Sequence, residues 1–180
     1  MKEERERGKR DSLLQFENPM NQIWSPWRME YIESSKVEEC VFCSAQAMED
    51  GAENLIAFRS ERAYVILNRY PYTSGHLMVV PFDHKPNLEE LDPQTRAEMM
   101  ELVTRCMTVL RRIYHPEAFN MGANIGEAAG AGVKQHVHIH IVPRWAGDTN
   151  FMSTVGGTRV LPEALGSTYE RVKNRFSEAQ

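Results

Sequence analysis

Three histidines alternate with apolar residues between residues 136 and 140. Side chains on a β-strand point to alternate faces, so a strand here places His136, His138 and His140 on one face at intervals of roughly 6.6 Å. A helix would scatter the three imidazoles around its circumference, and Pro143 fits poorly inside a helix or a central strand. The stretch therefore predicts a strand over residues 136–143, with one polar face for chemistry and one apolar face for packing.

Three imidazoles on one strand face suit two kinds of site. They can bind a catalytic metal ion, or they can line an extended chain of phosphates. Purely structural histidines are a third possibility, but each would have to be paired or exposed in an otherwise apolar strand. A loop that contains Gly126, Gly130 and Gly132 runs directly into the strand. Because glycines let the main chain approach a ligand and direct amide hydrogens at phosphate oxygens, this loop favours a phosphate-bearing ligand.

The composition limits the class of protein. The chain has 180 residues, of which 42% are hydrophobic and 26% charged, and this suits one globular domain with a sizeable core. A net charge of −4 gives no general basic surface for nucleic acid, and the chain lacks a run of about 18 apolar residues for crossing a membrane. Three cysteines do not form a secreted disulfide framework, so we expect a reducing, cytoplasmic compartment.

The pattern of apolar residues predicts an α+β fold with a mostly antiparallel, five-stranded sheet. Strands are expected at residues 55–58, 62–67, 77–81, 119–125 and 136–143. Helices are expected at residues 44–50, from residue 93 to residue 115, and at residues 162–176. The long helix is the clearest, because Asp92 is a good N-cap and Pro93 suits the first helical position. Its apolar stripe packs on the sheet and includes Cys106, which we interpret as inert packing.

The N-terminal part of the chain changes character near residue 23. Residues 1–20 are rich in charge and lack the apolar core of a signal peptide, so a flexible charged arm is expected. Beyond the arm, Trp24, Trp27 and Tyr31 form an aromatic cluster. This cluster either packs as a lid on the core or on a partner subunit, or it stacks on a base of a ligand.

The histidine stretch resembles the signature of the histidine triad (HIT) superfamily, in which three histidines alternate with apolar residues. Further positions in the same order are Leu67-Asn68, Gly75-His76 and the apolar residues up to Pro81, then His84, Asn124 and the glycine-rich loop. The segments at residues 24–31, 130–132 and 144–152 are similar to the bacterial branch of diadenosine tetraphosphate phosphorylases, also called ATP adenylyltransferases. The resemblance covers about residues 24–152.

The resemblance implies an enzyme that cleaves dinucleoside polyphosphates such as diadenosine tetraphosphate. Its implied catalytic residues are His138, which forms a covalent nucleotidyl-histidine, His140, which serves the phosphoryl oxygens or the leaving group, and His76, which supports the triad. Its implied nucleotide-binding residues are Asn68, Asn124, Gly130, Ala131, Gly132, His136 and His140. The third triad position is usually glutamine in phosphorylases and transferases. His140 therefore favours water as the acceptor, whereas the flanking segments favour phosphate.

Cys40 and Cys43 stand at a spacing that lets two thiolates chelate one zinc ion. A tetrahedral site needs two more ligands, for which His84 and His136 are the candidates, and the same pattern occurs in zinc-bearing members of the superfamily. A redox dithiol and two unremarkable cysteines are the alternatives. If a structural zinc is present, His136 is a ligand and orients the strand instead of contacting phosphate.

The resemblance also implies a homodimer, in which two sheets pair edge to edge. We expect three segments: the arm at residues 1–20, a HIT domain at residues 21–155 that begins with the zinc-binding cysteines, and a C-terminal extension with a helix at residues 156–180. Lys85, Lys134 and Arg144 are either phosphate partners or solvated charges. Two rival functions are a metal-dependent hydrolase with the three histidines as ligands and a nucleotide-binding or partner-binding module without catalysis.

Overall fold

The computed structural model describes residues 39–149 and 161–178 of the 180-residue chain. Within these ranges, five strands form one antiparallel sheet in the order β1-β2-β3-β5-β4. The strands are β1 (Ile56–Arg59), β2 (Ala63–Leu67), β3 (Leu77–Pro81), β4 (Ala118–Gly122) and β5 (Ile139–Arg144). The α-helices are α1 (Val41–Ala47), α2 (Pro93–Tyr114) and α3 (Leu165–Glu178). The predicted α+β fold is confirmed, while the charged arm and the aromatic cluster near Trp24 lie outside the described residues.

Helix α2 begins and ends where the sequence predicts. The carboxylate of Asp92 accepts hydrogen bonds from the main-chain N–H groups of Gln94 and Thr95, at 2.9 Å and 3.0 Å. Pro93 occupies the first turn, where a missing N–H costs no helical hydrogen bond. The helix ends at His115, which adopts a left-handed conformation with φ of 47°. Cys106 is fully buried in the hydrophobic core, as expected of a packing residue.

Strand β5 differs from the prediction at both ends. It starts at Ile139 instead of residue 136 and continues through Pro143. Pairing with β3 stops at the Ile141–Leu77 pair, so the β3 side of Pro143 meets a turn instead of a strand. There the carbonyl of Pro143 accepts a hydrogen bond from the hydroxyl of Thr73 at 2.9 Å. Pro143 is therefore tolerated in the strand because no partner strand requires its missing N–H.

The chain ahead of β5 stays close to the sheet although it is not part of a strand. The N–H of Val137 donates to the carbonyl of Lys85 at 2.7 Å, and this contact holds the segment against the end of β3. Val137, Ile139 and Ile141 are all buried in the core. The predicted apolar face therefore exists, and the alternating histidines face the other way.

The other boundary differences are small and follow from packing. Helix α1 starts directly after Cys40, three residues earlier than predicted, and β4 ends at Gly122, whose cross-strand partner is His140. Helix α3 contributes Tyr169, Val172 and Phe176 to the same core as the sheet; these are its most deeply buried residues. No helix in the described ranges combines the length and apolar character that spanning a membrane requires. The proposed division into three segments stays a prediction.

Candidate active site

The alternating histidines form a row of rings on one face of the sheet. The ring centroids of His138 and His140 are 4.8 Å apart, and those of His140 and His76 are 5.1 Å apart. On the other side of His138, the ring of Phe42 from α1 lies 4.8 Å from it and 5.4 Å from the ring of His136. The row thus links a catalytic candidate, His138, to histidines on both sides.

His138 is held in one tautomer. The residue is 5% exposed, and its Nδ1 lies 2.9 Å from the main-chain carbonyl oxygen of His136. Because a carbonyl oxygen only accepts hydrogen bonds, Nδ1 carries the proton and Nε2 carries the lone pair. Burial lowers the pKa of His138 below its ordinary value, so the neutral ring is favoured. A neutral imidazole with a fixed proton at Nδ1 presents Nε2 as a nucleophile.

His140 is held in the opposite tautomer by a relay that starts at the main chain. The N–H of Tyr72 donates to Nδ1 of His76 at 3.1 Å, so the proton of neutral His76 lies on Nε2. That nitrogen is 2.9 Å from Nδ1 of His140. Nδ1 of His140 therefore accepts, and the proton of neutral His140 lies on Nε2. Nε2 of His138 therefore carries a lone pair, whereas Nε2 of His140 carries a proton and can donate a hydrogen bond.

The predicted nucleotide-binding asparagines lie just after strands β2 and β4, and the predicted glycines and alanine lie in the glycine-rich loop. Asn68 follows β2, and its amide nitrogen is 3.5 Å from Nε2 of His76. Asn124 follows β4, and its amide nitrogen lies 3.5 Å from the carbonyl of Gly130 in the glycine-rich loop. Gly126 and Gly130 have φ of 81° and 80°, a conformation that favours glycine. In the same loop, Ala131 is buried and Gly132 is exposed.

Four predicted metal ligands come together beside the row of rings. The donor atoms of Cys40, Cys43, His84 and His136 all lie within 4.8 Å of one another. The sulfur of Cys43 is 3.1 Å from Nδ1 of His84 and 3.6 Å from Nδ1 of His136, and the sulfur of Cys40 is 3.4 Å from Nδ1 of His136. Two thiols and two imidazoles at these separations match the donor set of a tetrahedral zinc site.

His136 is oriented as a metal ligand should be. Its Nε2 lies 2.9 Å from the carbonyl oxygen of Pro81, so this nitrogen donates and Nδ1 is left to face the thiols. The side chain is fully buried, and burial lowers its pKa, which favours the neutral form that binds metal. Both ring nitrogens are engaged in this arrangement. Of its two predicted roles, the geometry favours the metal ligand over the phosphate contact.

The protonation of the Cys43 thiol depends on whether a cation is bound. Burial, followed by the neighbouring Cys40, raises the pKa of Cys43 to about 11. Without a cation the Cys43 thiol therefore stays protonated at neutral pH. A divalent metal ion would supply the positive charge that lets this thiol ionise, so metal binding would release its proton.

The three alternating histidines are not brought together as one metal-binding group. In the described part of the chain, the group of residues suited to a metal ion contains His136 but neither His138 nor His140. The geometry therefore gives no support to the rival hypothesis of a metal held by all three histidines.

Two of the candidate phosphate partners are engaged elsewhere. Arg144 contacts the carboxylate of Asp148 at 2.8 Å and the side-chain oxygen of Asn120 at 2.6 Å. This arginine holds the pKa of Asp148 at about 2. Lys134 forms an ion pair with Glu127 at 2.7 Å across the glycine-rich loop.

Two residues of the site were not expected from the sequence. Phe42 stands between the two cysteines in the sequence, and its ring packs against those of His136 and His138. An aromatic residue inside the Cys-x-x-Cys segment is the sequence feature that indicates this contact. Tyr72 fixes His76 through its main-chain N–H, a contribution that no side-chain pattern encodes.

The sheet, the three alternating histidines and the neighbouring glycine-rich loop define a nucleotide-binding class of small α+β domains that share the histidine triad. The family model described as the HIT domain matches residues 50–147, more than half of the chain, so the protein belongs to the HIT domain family.

Relatives place the chain near one branch of this family. It is 36% identical over 169 residues to a protein of Mycobacterium tuberculosis named AP-4-A phosphorylase, covering 89% of this chain and 83% of that protein. It is 30% identical to an asymmetrical bis(5'-nucleosyl)-tetraphosphatase of Schizosaccharomyces pombe, over 52% of this chain and 50% of that protein. The likeness to the AP-4-A phosphorylase confirms the predicted resemblance to the phosphorylase branch.

A solved structure supports the fold and bears on the metal site. The chain aligns with a zinc-bound histidine triad family protein of Mycobacterium smegmatis with a TM-score of 0.63 and 27% identity. The alignment covers 78% of this chain and 95% of that one. A zinc-bound relative with this fold agrees with the donor set found here.

Proposed function

We propose that this protein cleaves dinucleoside polyphosphates by transferring a nucleotidyl group to Nε2 of His138. The observation that carries the proposal is the hydrogen bond from Nδ1 of His138 to the carbonyl of His136, because it leaves the nucleophilic lone pair on Nε2 of a buried, neutral ring. The names of the two relatives, a phosphorylase and a tetraphosphatase of such substrates, support the substrate class.

In the first step, Nε2 of His138 attacks the α-phosphorus of the bound substrate. A nitrogen–phosphorus bond forms, the bond from phosphorus to the bridging oxygen breaks, and the electron pair leaves with that oxygen. His140 donates a hydrogen bond from its Nε2 to the departing oxygen and stabilises the negative charge that develops there, while His76 holds the ring of His140 in place. Amides of the glycine-rich loop and the side chain of Asn124 hold the phosphates, and Asn68 holds the ribose.

In the second step, an acceptor displaces the nucleotidyl group and restores His138. We propose inorganic phosphate as the acceptor, because the chain is similar to an AP-4-A phosphorylase over nearly its whole length. His140 stands where many phosphorylases have glutamine, so water is the competing acceptor.

Product analysis tests the reaction. The protein is incubated with diadenosine tetraphosphate in the presence and absence of inorganic phosphate, and the nucleotides are separated by chromatography. We expect ADP plus ATP, formed only when phosphate is present. AMP plus ATP would identify water as the acceptor and leave His138 as the nucleophile. Binding without cleavage of any nucleoside polyphosphate would overturn the enzymatic proposal in favour of a binding module.

Replacement of the nucleophile tests the covalent step. We expect His138→Ala to lower kcat by at least about a thousandfold while nucleotide affinity changes little, because Nε2 forms the bond to phosphorus. Mass spectrometry of the acid-quenched wild-type protein should show a nucleotidyl adduct that the variant lacks. The matched control is His115→Asn at the exposed end of α2, where asparagine tolerates the left-handed conformation and activity should be unchanged.

We further propose that Cys40, Cys43, His84 and His136 bind one structural zinc ion. Elemental analysis should find about one zinc per chain, and His84→Ala should lose zinc and lower Tm by about 10 °C or more, whereas His115→Asn should keep both. If a chelator removes activity at unchanged Tm, the zinc is not structural. Thiol ligands of this kind fit a reducing cytoplasm, which we propose as the location.

We also propose a homodimer. Strand β4 is an edge strand of the sheet and is exposed along most of its length, with Met121 48% exposed. An exposed edge offers main-chain groups for pairing with a second copy.

A further inference from the structure

The turn between β2 and β3 carries an aromatic side chain next to the catalytic candidates. The ring centroid of Tyr72 lies 4.7 Å from that of His76 and 6.3 Å from that of His140, and the planes of the Tyr72 and His140 rings differ by 23°. Tyr72 is also 38% exposed, so part of its ring is accessible to a ligand.

The turn is anchored at three points. The N–H of Tyr72 donates to His76, the hydroxyl of Thr73 donates to the carbonyl of Pro143, and Gly75 fits closely against α2. These contacts fix the main chain on both sides of Tyr72. Its ring is therefore a preorganised surface, and a ligand that uses it pays little conformational entropy for ordering the turn.

The direction in which the substrate extends follows from the proposed reaction, on which this inference rests. The nucleotide that is transferred to His138 is held by Asn68 and the glycine-rich loop. The leaving group departs opposite the attacking nitrogen and accepts a hydrogen bond from His140, so its phosphates lie beside His140. The ring of Tyr72 packs on His76 and lies 6.3 Å from the ring of His140, so a group that follows the phosphates beside His140 can reach it.

We propose that Tyr72 is a specificity-determining residue that stacks on the base of the leaving nucleotide. Bases stack on tyrosine rings with little dependence on base identity, and such contacts are a common source of nucleotide affinity. A flexible chain of bridging phosphates lets the second base fold back towards the ring. The contact exists only when the leaving group carries a nucleoside, so Tyr72 selects dinucleotides over mononucleotides with the same phosphate chain.

The test compares two substrates that differ only in the second nucleoside: diadenosine tetraphosphate and adenosine 5'-tetraphosphate. We expect Tyr72→Ala to lower kcat/KM about tenfold for the dinucleotide and to leave it within about twofold for the mononucleotide. Tyr72→Trp should keep the preference for the dinucleotide because it keeps a stacking face. All of these variants retain the main-chain N–H that fixes His76, so the comparison isolates the ring.

Tyr70 provides the matched control on the same turn. It is 55% exposed, and its main-chain N–H donates to Asn68 Oδ1, a bond that Tyr70→Ala keeps. We expect Tyr70→Ala to retain wild-type preference.

Three outcomes would overturn the role of Tyr72. In the first, Tyr72→Ala loses kcat/KM equally on both substrates, which would indicate that the ring positions His140. In the second, Tyr72→Ala loses kcat/KM on neither substrate. In the third, Tyr70→Ala loses the preference for the dinucleotide as strongly as Tyr72→Ala does. Failure of the wild-type protein to cleave either substrate would instead refute the proposed function.

Discussion

At the scale of single residues, the position of two protons determines what the site can do. One main-chain carbonyl, at residue 136, places the proton of His138 on Nδ1, and one main-chain N–H, at residue 72, places the proton of His140 on Nε2 through His76. Two chemically identical side chains thereby carry their protons on different ring nitrogens. For His138 the assignment depends on a main-chain group alone, whereas for His140 it also depends on the ring of His76.

The relay predicts a defined effect of His76. Replacement by phenylalanine keeps an aromatic ring but removes the nitrogen that holds His140, so we expect kcat for diadenosine tetraphosphate to fall about 100-fold, with a small change in KM. The loss should be smaller for the p-nitrophenyl ester of AMP, because its leaving oxygen spreads negative charge into the nitrophenyl ring and depends less on a hydrogen bond. Steady-state kinetics with both substrates measure this difference. Equal losses on the two substrates would contradict a role of the relay in stabilising the leaving group.

At the scale of elements, the sequence predicts what depends on local pattern. The limits of β3 and the start of α2 agree with prediction, because an apolar run and a capped helix start are local signals. The limits of β5 do not agree, since they depend on where β3 stops pairing. Pro143 argued against a central strand, and only the end of the β3 ladder explains why the strand accepts it.

The candidate site shows the same division. Alternation alone places the three histidines on one face. Spacing alone identifies Cys40 and Cys43 as a chelating pair, but His84 and His136 follow Cys43 by 41 and 93 residues, so only the family resemblance joined them to the cysteines. The contacts of main-chain groups at residues 72, 81 and 136 were not predicted. They arise when distant segments meet in the folded chain.

Gly75 links the turn at the active site to α2, and this contact makes a prediction at the scale of elements. Its φ is 82°, and a Cβ there would lie 2.9 Å from Leu110 and 3.1 Å from Tyr114. We expect Gly75→Ala to lower the free energy of unfolding by about 2–4 kcal/mol, from backbone strain and overpacking together. It should also lower kcat because the turn carries Tyr72 and His76.

Substitution of Gly147 separates backbone strain from overpacking. Its φ of 79° is similar to that of Gly75, but a Cβ there would meet no atom within 4 Å among the described neighbours. Gly147→Ala should therefore cost only about 1–2 kcal/mol, from backbone strain. Urea denaturation measures both variants. Equal costs would show that contact with α2 contributes nothing at Gly75.

At the scale of the whole molecule, the hydrophobic core and the row of histidine rings lie on opposite faces of the sheet. Helices α2 and α3 share one core with the sheet, and the histidine row lies on the face away from the apolar residues of β5.

Strand β4 forms one edge of the sheet, and its pairing with β5 determines which of its main-chain groups point outward. The carbonyl of Pro143 points to Thr73, away from β4, so its cross-strand partner Phe119 makes no ladder bond to it. By alternation, the main-chain groups of Phe119 and Met121 point outward from the sheet.

This edge geometry gives a specific test of the proposed homodimer. Met121→Pro removes an outward N–H without removing a bond between β4 and β5, so we expect it to convert the dimer to a folded monomer. Met121→Ala keeps the N–H and should stay dimeric, which separates main-chain pairing from side-chain packing. Sedimentation velocity at micromolar concentration measures the two states. A wild-type monomer would contradict the dimer itself, and a dimeric Met121→Pro variant would place the interface away from the β4 edge.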